Sequence, residues 1–376
     1  MTEFQNNVMT VICPTCAMRE PLNLHNWNCP QCADAWEPFS DKKLEISEIH
    51  GEESGIWRYK DWMDISIENP LSLGAGGTSL LGAIFQGREV LFKTEYLNPS
   101  GSFKDRGTEL MINVLDRLGA KSVVEDSSGN AGASLAAYAA RAGIPAEIYV
   151  PENASPYKLA QIAMYGARVK RIPGVRANAS LAVKEVVQKG EVYASHAWHP
   201  AFLLGQESVA WEVWEQLGHH VPDVWVTPVG QGGHFLGIWM GFKRLLEAGL
   251  IDHLPKMVAV QSASVAPIYK IFNNNLIDLP EMDTSKTTTI AEGVVVAQPI
   301  RWKQIIHALH ESKGFAIAIE EKEILPARRE LAHSGFFVEP TSALTAAALP
   351  IIFGKFRPTD TIVISLTGNG LKVPVT

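Results

Sequence analysis

Short apolar runs alternate with amphipathic stretches through most of this chain, and that rhythm constrains its fold more than any other feature. Val90–Phe92, Ser122–Glu125, Glu147–Val150, Val169–Ile172 and Val192–Ala194 read as strands; residues 108–118, 135–142, 156–165 and 179–188 read as helices between them. A parallel strand pair needs a long crossover, usually a helix, so this order predicts parallel sheets covered by helices. A second series begins at Val224–Val229 and continues through a helix at 235–247 and strands at Met257–Val260, Phe315–Ile319 and Thr361–Leu366. The expectation is an α/β protein with two open twisted α/β domains. At 376 residues with 46% hydrophobic content, the chain has enough apolar material for two cores.

The four cysteines all fall within the first 32 residues, as Cys13-Pro14-Thr15-Cys16 and Cys29-Pro30-Gln31-Cys32. Two Cys-x-x-Cys knuckles separated by twelve residues can place four thiolates at the corners of a tetrahedron, which suits zinc. Two disulfides are the other reading, and a reducing compartment disfavours them. Four protein ligands leave no open position, so this zinc is expected to be structural. The segment from about 35 to 60 is charged and irregular and reads as a connector.

Three Gly/Asn-rich loops follow predicted strands: Ser127–Gly132, Gly230–Gly233 and Gly368–Gly370. Ligands of open α/β sheets bind at the carboxyl ends of strands, so such loops are the places to look for chemistry. Gly230-Gln231-Gly232-Gly233-His234 lies between a strand and a helix, where main-chain N–H groups and the helix dipole can hold a phosphate. A plain tight turn would read the same. Ser127-Ser128-Gly129-Asn130-Ala131 offers hydroxyls and N–H groups suited to a carboxylate, or an ordinary N-capping turn. Lys104 follows the turn formers Pro99, Ser100 and Gly101 and precedes Leu110, Met111, Val114, Leu115 and Leu118, which recur at helical spacing until Gly119. A helix dipole and partial burial beside Phe103 would both favour its neutral amine, the form needed for Schiff-base chemistry.

Taken together, these segments resemble fold-type II pyridoxal-phosphate enzymes, and within them the threonine synthase family. Asn98-Pro99-Ser100-Gly101-Ser102-Phe103-Lys104-Asp105-Arg106-Gly107 is similar to that family's cofactor-lysine motif, and Glu339–Ala343 and Thr367–Lys372 resemble two further segments. The resemblance runs from Gly74 to Pro374, and a four-cysteine ribbon precedes the catalytic part in some members. It implies a pyridoxal 5′-phosphate cleft between the two α/β domains, preceded by a small zinc ribbon. The implied boundaries are a ribbon at 1–40, a large domain at 41–107 and 206–376, and a small domain at 108–205. Lys104 would anchor the cofactor and shuttle protons, and Asn130 would meet the cofactor's 3′ oxygen. Gly230, Gln231, Gly232, Gly233 and His234 would hold its phosphate, and Thr367 would meet the pyridine nitrogen. Ser127, Ser128, Gly129 and Ala131 would receive the substrate carboxylate. The implied reaction converts O-phospho-L-homoserine and water to L-threonine and phosphate, and the family's habit implies a homodimer.

Three places depart from the pattern: Asn369 stands where many members carry histidine, Gly74-Ala75-Gly76-Gly77-Thr78-Ser79 replaces a more usual Gly-Glu-Gly-x-Thr-Pro, and the third lies in the substrate pocket. Many members read Asn-Pro-x-Arg-x-Glu-Gly-Gln where this chain has His199-Pro200-Ala201-Phe202-Leu203-Leu204-Gly205-Gln206, so Phe202 holds the arginine position. Another cation, with Lys158, Arg168 and His199 as candidates, would have to meet a phosphorylated substrate. The alternative is a β-eliminating or β-replacing enzyme of the same fold, such as a serine/threonine dehydratase, a diaminopropionate ammonia-lyase or a cysteate-synthase-like enzyme. A net charge of −7 argues against a nucleic-acid or anionic-membrane partner, so the expected partner is a small amino-acid substrate. The N-terminus lacks a basic segment followed by an apolar one, and no apolar run approaches ~20 residues, which together imply a cytoplasmic enzyme.

Overall fold

The computed structural model describes residues 8–154, 156–174, 176–282 and 289–373. Its strands are β1 (Thr10–Ile12), β2 (Arg19–Pro21), β3 (Glu37–Phe39), β4 (Leu80–Phe85), β5 (Arg88–Lys93), β6 (Val123–Glu125), β7 (Ala146–Pro151), β8 (Arg168–Ile172), β9 (Val224–Pro228), β10 (Lys256–Ser262), β11 (Phe315–Ile319) and β12 (Ile362–Ser365). Its helices are α1 (Lys60–Met63), α2 (Lys104–Arg117), α3 (Asn130–Ala142), α4 (Pro156–Met164), α5 (Arg176–Val187), α6 (Pro200–Gln216), α7 (Gly233–Glu247), α8 (Pro267–Asn274), α9 (Trp302–Glu311), α10 (Glu321–His333), α11 (Pro340–Ala347) and α12 (Leu349–Phe353). Two compact units result. The first takes the chain up to Gly77, Asn98–Ser100 and Lys104–Gln206; the second takes Thr78–Leu97, Gly101–Phe103 and the chain from Glu207. No described helix is long and apolar enough to cross a membrane.

In the first unit, β6, β7 and β8 form a parallel sheet in that order. The expected strand at Val192–Ala194 is reduced to a single parallel bridge, Val124 with Tyr193, because the chain then turns toward Pro200 and α6. Helix α2 buries Leu110, Met111, Val114 and Leu115, as their spacing required, and stops where Gly119 takes φ +88°. The expected connector is partly core. Ile56, Trp57, Tyr59 and Trp62 are buried, and Trp57 Nε1 donates to Glu109 Oε1 at 2.6 Å. Charged neighbours had masked that apolar cluster.

The cysteine segment forms a separate antiparallel sheet, β2-β1-β3. Its two knuckles repeat one turn: Ala17 N–H donates to the Cys13 carbonyl (2.9 Å) and Ala33 N–H to the Cys29 carbonyl (2.8 Å), with both alanines at positive φ. Trp27, between the knuckles, packs edge-on against Trp198 (4.8 Å between centroids) and Tyr193 (5.8 Å), within the same unit.

The second unit holds a six-stranded sheet of order β11-β10-β9-β12-β5-β4. All neighbours run parallel except β4 and β5, which form a hairpin. Gln86 and Gly87 both take positive φ in its two-residue turn, as right-handed strand twist favours. Strands β9 and β12 lie inside the sheet and are buried along their whole length, hence their unbroken apolar sequences. Val224, Val226, Val258, Val260, Ile362 and Ile364 form the centre of this core.

Candidate active site

The lysine motif is held by a carboxylate rather than by its apolar residues. Asp105 is fully buried; its oxygens accept the Ser100 N–H and hydroxyl and the Ser134 hydroxyl at 2.6 Å. Gln161 Nε2 donates to the Ser100 carbonyl at 2.9 Å. Lys104 is the first residue of α2, which starts ahead of the expected residue 108, and is half-buried. Its Nζ lies 5.5 Å from the centre of the Phe202 ring. That ring rests on Gly107, where an added Cβ would come within 2.6 Å of Cδ2. Of the cations weighed against a substrate phosphate, Arg168 is exposed and faces Glu147, and His199 is buried with Nδ1 accepting the Ala201 N–H. The Lys158 side chain lies outside the described residues.

The loop after β6 feeds directly into α3, and Asn130 is the first helical residue. Gly129 is the N-cap and no side chain caps the helix, so the ordinary capping turn is absent. Its first N–H groups therefore suit an anionic ligand. Ser127 is buried, while Ser128, Gly129 and Asn130 are half-buried. Just ahead of them, Asp126 is tied to the Tyr193 hydroxyl at 2.7 Å and to the Ser180 hydroxyl. The first unit thus carries Lys104 and the whole loop Ser127–Ala131.

The second unit carries the rest of the predicted set. Gly232 caps α7 with φ +87°, again without a side-chain cap. An added Cβ there would sit 2.3 Å from Ile305 Cδ1, and one on Gly230 would sit 2.8 Å from the Gly293 carbonyl oxygen. Only glycine fits either place. Gln231 Oε1 accepts the Ile300 N–H at 3.1 Å; His234 turns inward, with Nε2 3.0 Å from Ser365 Oγ and its ring 4.5 Å from Phe103. Both side chains are therefore engaged within the protein, which leaves the main chain of Gly230–Gly233 as the part of the loop suited to a ligand. Thr367 is buried, with Oγ1 3.0 Å from Ser342 Oγ, which also accepts the N–H groups of Thr367 and Gly368.

Ser342 and Asp105 support the expected site residues through contacts that no local spacing reveals. Ser102 bridges to Gly368, and its hydroxyl is buried with no hydrogen-bond partner among the described residues. A hydroxyl left so costs about 1–3 kcal/mol unless a ligand meets it. That orphan hydroxyl, the uncapped α7 terminus and the crowded glycines form a donor set that fits a phosphorylated, ring-containing cofactor. The signal for Ser102 was available in sequence, two residues before the lysine.

Comparison with known proteins agrees with this chemistry. A family described as pyridoxal-phosphate dependent enzyme matches residues 71–368. The threonine synthase of Methanocaldococcus jannaschii is 35% identical over 349 residues, covering 90% of this chain and 85% of that protein. That of Methanosarcina acetivorans is 31% identical, covering 93% and 89%. Among solved structures, serine racemase from Dictyostelium discoideum aligns with TM-score 0.66 at 27% identity, covering 79% of this chain and 93% of that one. The chain belongs to the pyridoxal-phosphate dependent enzymes of fold type II and, within them, to the threonine synthase family.

Proposed function

We propose that this protein converts O-phospho-L-homoserine and water to L-threonine and phosphate. The observation that carries the reading is Lys104 opening α2 within the intact Asn98–Gly107 segment, in a chain whose relatives over most of its length are threonine synthases. Bound pyridoxal phosphate supplies an electron sink for charge developing at the substrate's Cα. Lys104 would hold the cofactor, and its amine is the group that takes the Cα proton and then a Cβ proton as phosphate leaves Cγ, and that returns protons to Cγ and Cα while water adds at Cβ. One lysine serves several transfers when its pKa lies near the working pH. Ser127, Ser128, Gly129 and Ala131 bind the substrate carboxylate, and Asn130 meets the cofactor's 3′ oxygen. Gly230, Gln231, Gly232, Gly233 and His234 hold the cofactor phosphate chiefly through main-chain N–H groups. Thr367, oriented by Ser342, offers the pyridine nitrogen a neutral hydroxyl. Phosphate release from O-phospho-L-homoserine tests the assignment; pyruvate or 2-oxobutyrate from serine or threonine, with no phosphate release, would replace it with β-elimination.

The four thiols are the site of a structural zinc. Their Sγ atoms lie within 4.8 Å of one another, with close pairs at 3.2, 3.6 and 3.9 Å. A tetrahedron with Zn–S bonds of about 2.3 Å has edges of roughly 3.8 Å. The expected content is one zinc per chain, lost in Cys29→Ser. Because Trp27 packs on Trp198, zinc release is also expected to change tryptophan fluorescence; a metal-free wild type with unchanged fluorescence on chelation would refute the assignment. The enzyme is assigned as a cytoplasmic homodimer, so light scattering should give twice the chain mass, and a single-chain mass would overturn that.

A further inference from the structure

Strand β6 ends on Glu125, whose side chain is 1% exposed and is gripped twice by one residue. Its Oε2 accepts the His196 main-chain N–H at 3.1 Å, and its Oε1 lies 2.7 Å from His196 Nδ1. The bridge between Tyr193 and Val124 delivers His196 to the carboxyl end of the β6–β7–β8 sheet, beside the Ser127–Ala131 loop. His196 meets the Phe202 ring edge-on, 6.1 Å between centroids, and Lys104 Nζ lies 5.5 Å from the centre of that same ring. Lys104, Phe202 and His196 are therefore grouped around one aromatic wall within the first unit.

The charged groups acting on the pair are Lys104 from α2, Arg176 from α5, and Asp126 beside Glu125. Burial, followed by the positive charges of Lys104 and Arg176, holds His196 well below its ordinary pKa. Burial, followed by Asp126, holds Glu125 well above its own, against the opposing pull of the His196 N–H, Lys104 and Arg176. The imidazole is thus neutral at neutral pH. With Nδ1 engaged by Glu125, Nε2 is the nitrogen left to a ligand: an acceptor when Glu125 is ionised, a donor when Glu125 carries the proton. Among the described residues Nε2 has no hydrogen-bond partner.

We propose that His196 is a specificity-determining residue that binds the side-chain oxygen of the amino-acid substrate through Nε2, with Glu125 as its positioning residue. The substrate class is amino acids bearing oxygen on Cβ or Cγ. The proposal rests on the reading of Lys104 as the amine at which the substrate is handled. L-threonine and L-2-aminobutyrate share a carbon skeleton and differ by one hydroxyl, so titrating the holoenzyme with each, read by cofactor absorbance, isolates that oxygen. His196→Phe should weaken threonine about tenfold and leave 2-aminobutyrate within about twofold, the scale of one hydrogen bond. His196→Asn, which keeps a polar group, should retain part of the preference. Glu125→Ala should lose part of it and Glu125→Gln restore it, because the amide oxygen still accepts from Nδ1–H. Equal weakening of both amino acids, or an unchanged preference in His196→Phe and His196→Asn, would overturn the proposal. A wild-type holoenzyme whose absorbance responds to neither amino acid would instead overturn the Lys104 reading, and this proposal with it.

Discussion

Lys104→Ala is expected to lower phosphate release from O-phospho-L-homoserine by about 10³-fold or more and to abolish the visible absorbance of cofactor joined to the protein. One amine is asked both to hold the cofactor and to carry protons, and positioned acid–base groups alone contribute about 10²–10⁴-fold. The fold should survive. Alanine is the best helix former, and the Asp105 bonds to Ser100 and Ser134 that fix the segment do not involve the lysine side chain. Lys104→Arg sharpens the test, since it keeps a cation at the mouth of α2 but offers no deprotonated amine near neutral pH. Both variants should be equally inactive. Activity within tenfold of wild type in either would remove Lys104 from the chemistry.

Which parts of this molecule are legible in the sequence follows from the range of the interactions involved. The strands at 90–92, 147–150, 224–229, 257–260, 315–319 and 361–366 fall on observed strands, because a buried parallel strand writes its environment as a local apolar run, whereas the strand at 169–172 is largely exposed and shows only as Val169 and Ile172 around two charges. Helix α6 gave no signal. Phe202, Leu203, Leu204, Val209, Ala210, Trp211, Val213 and Trp214 are all buried, and so are the polar Gln206, Glu207, Ser208 and Glu212, so the helix is buried on nearly every face and has no 3.6-residue apolar period to detect. Helix α10 carries Pro326 in its interior, a residue that reads as a breaker.

The site divides the same way. Lys104, the Ser127–Ala131 loop and the 230–234 loop stand out as candidates in the sequence because each is one short segment whose residue types serve local main-chain geometry. Their supports do not. Ser342 reaches Thr367 across 25 residues, Ser134 reaches Asp105 across 29, and His196 reaches Glu125 across 71. Nothing in the spacing of such pairs predicts them, since the folded sheet creates the neighbourhood. The family pattern drew attention to Phe202 as a missing arginine; the structure gives it another part, as the ring packed on Gly107 beside both Lys104 and His196.

Gly132→Ala is the second change with a large expected effect, because it strikes the proposed carboxylate site through the main chain. A Cβ at Gly132 would lie 2.0 Å from the Ser127 carbonyl oxygen, 3.1 Å from Ile162 Cδ1 and 3.2 Å from Ile148 Cγ2. The isoleucines can rotate away, but the carbonyl belongs to the loop itself. Relief therefore requires moving Ser127 and the N–H groups that follow it, or tilting the start of α3. Overpacking of this kind costs about 1–3 kcal/mol in stability. If those N–H groups hold the substrate carboxylate, amino-acid affinity should fall at least about tenfold as well, the loss of one or more hydrogen bonds to a charged group. Gly143→Ala separates the two effects. Gly143 closes the same helix at φ +69° with nothing within 4 Å of an added Cβ. It should therefore lose about 1 kcal/mol of stability through backbone strain while binding the amino acid as wild type does. Should Gly132→Ala bind substrate no worse than Gly143→Ala, the Ser127–Ala131 loop is not the carboxylate site, and the search moves to the cationic groups around Lys104.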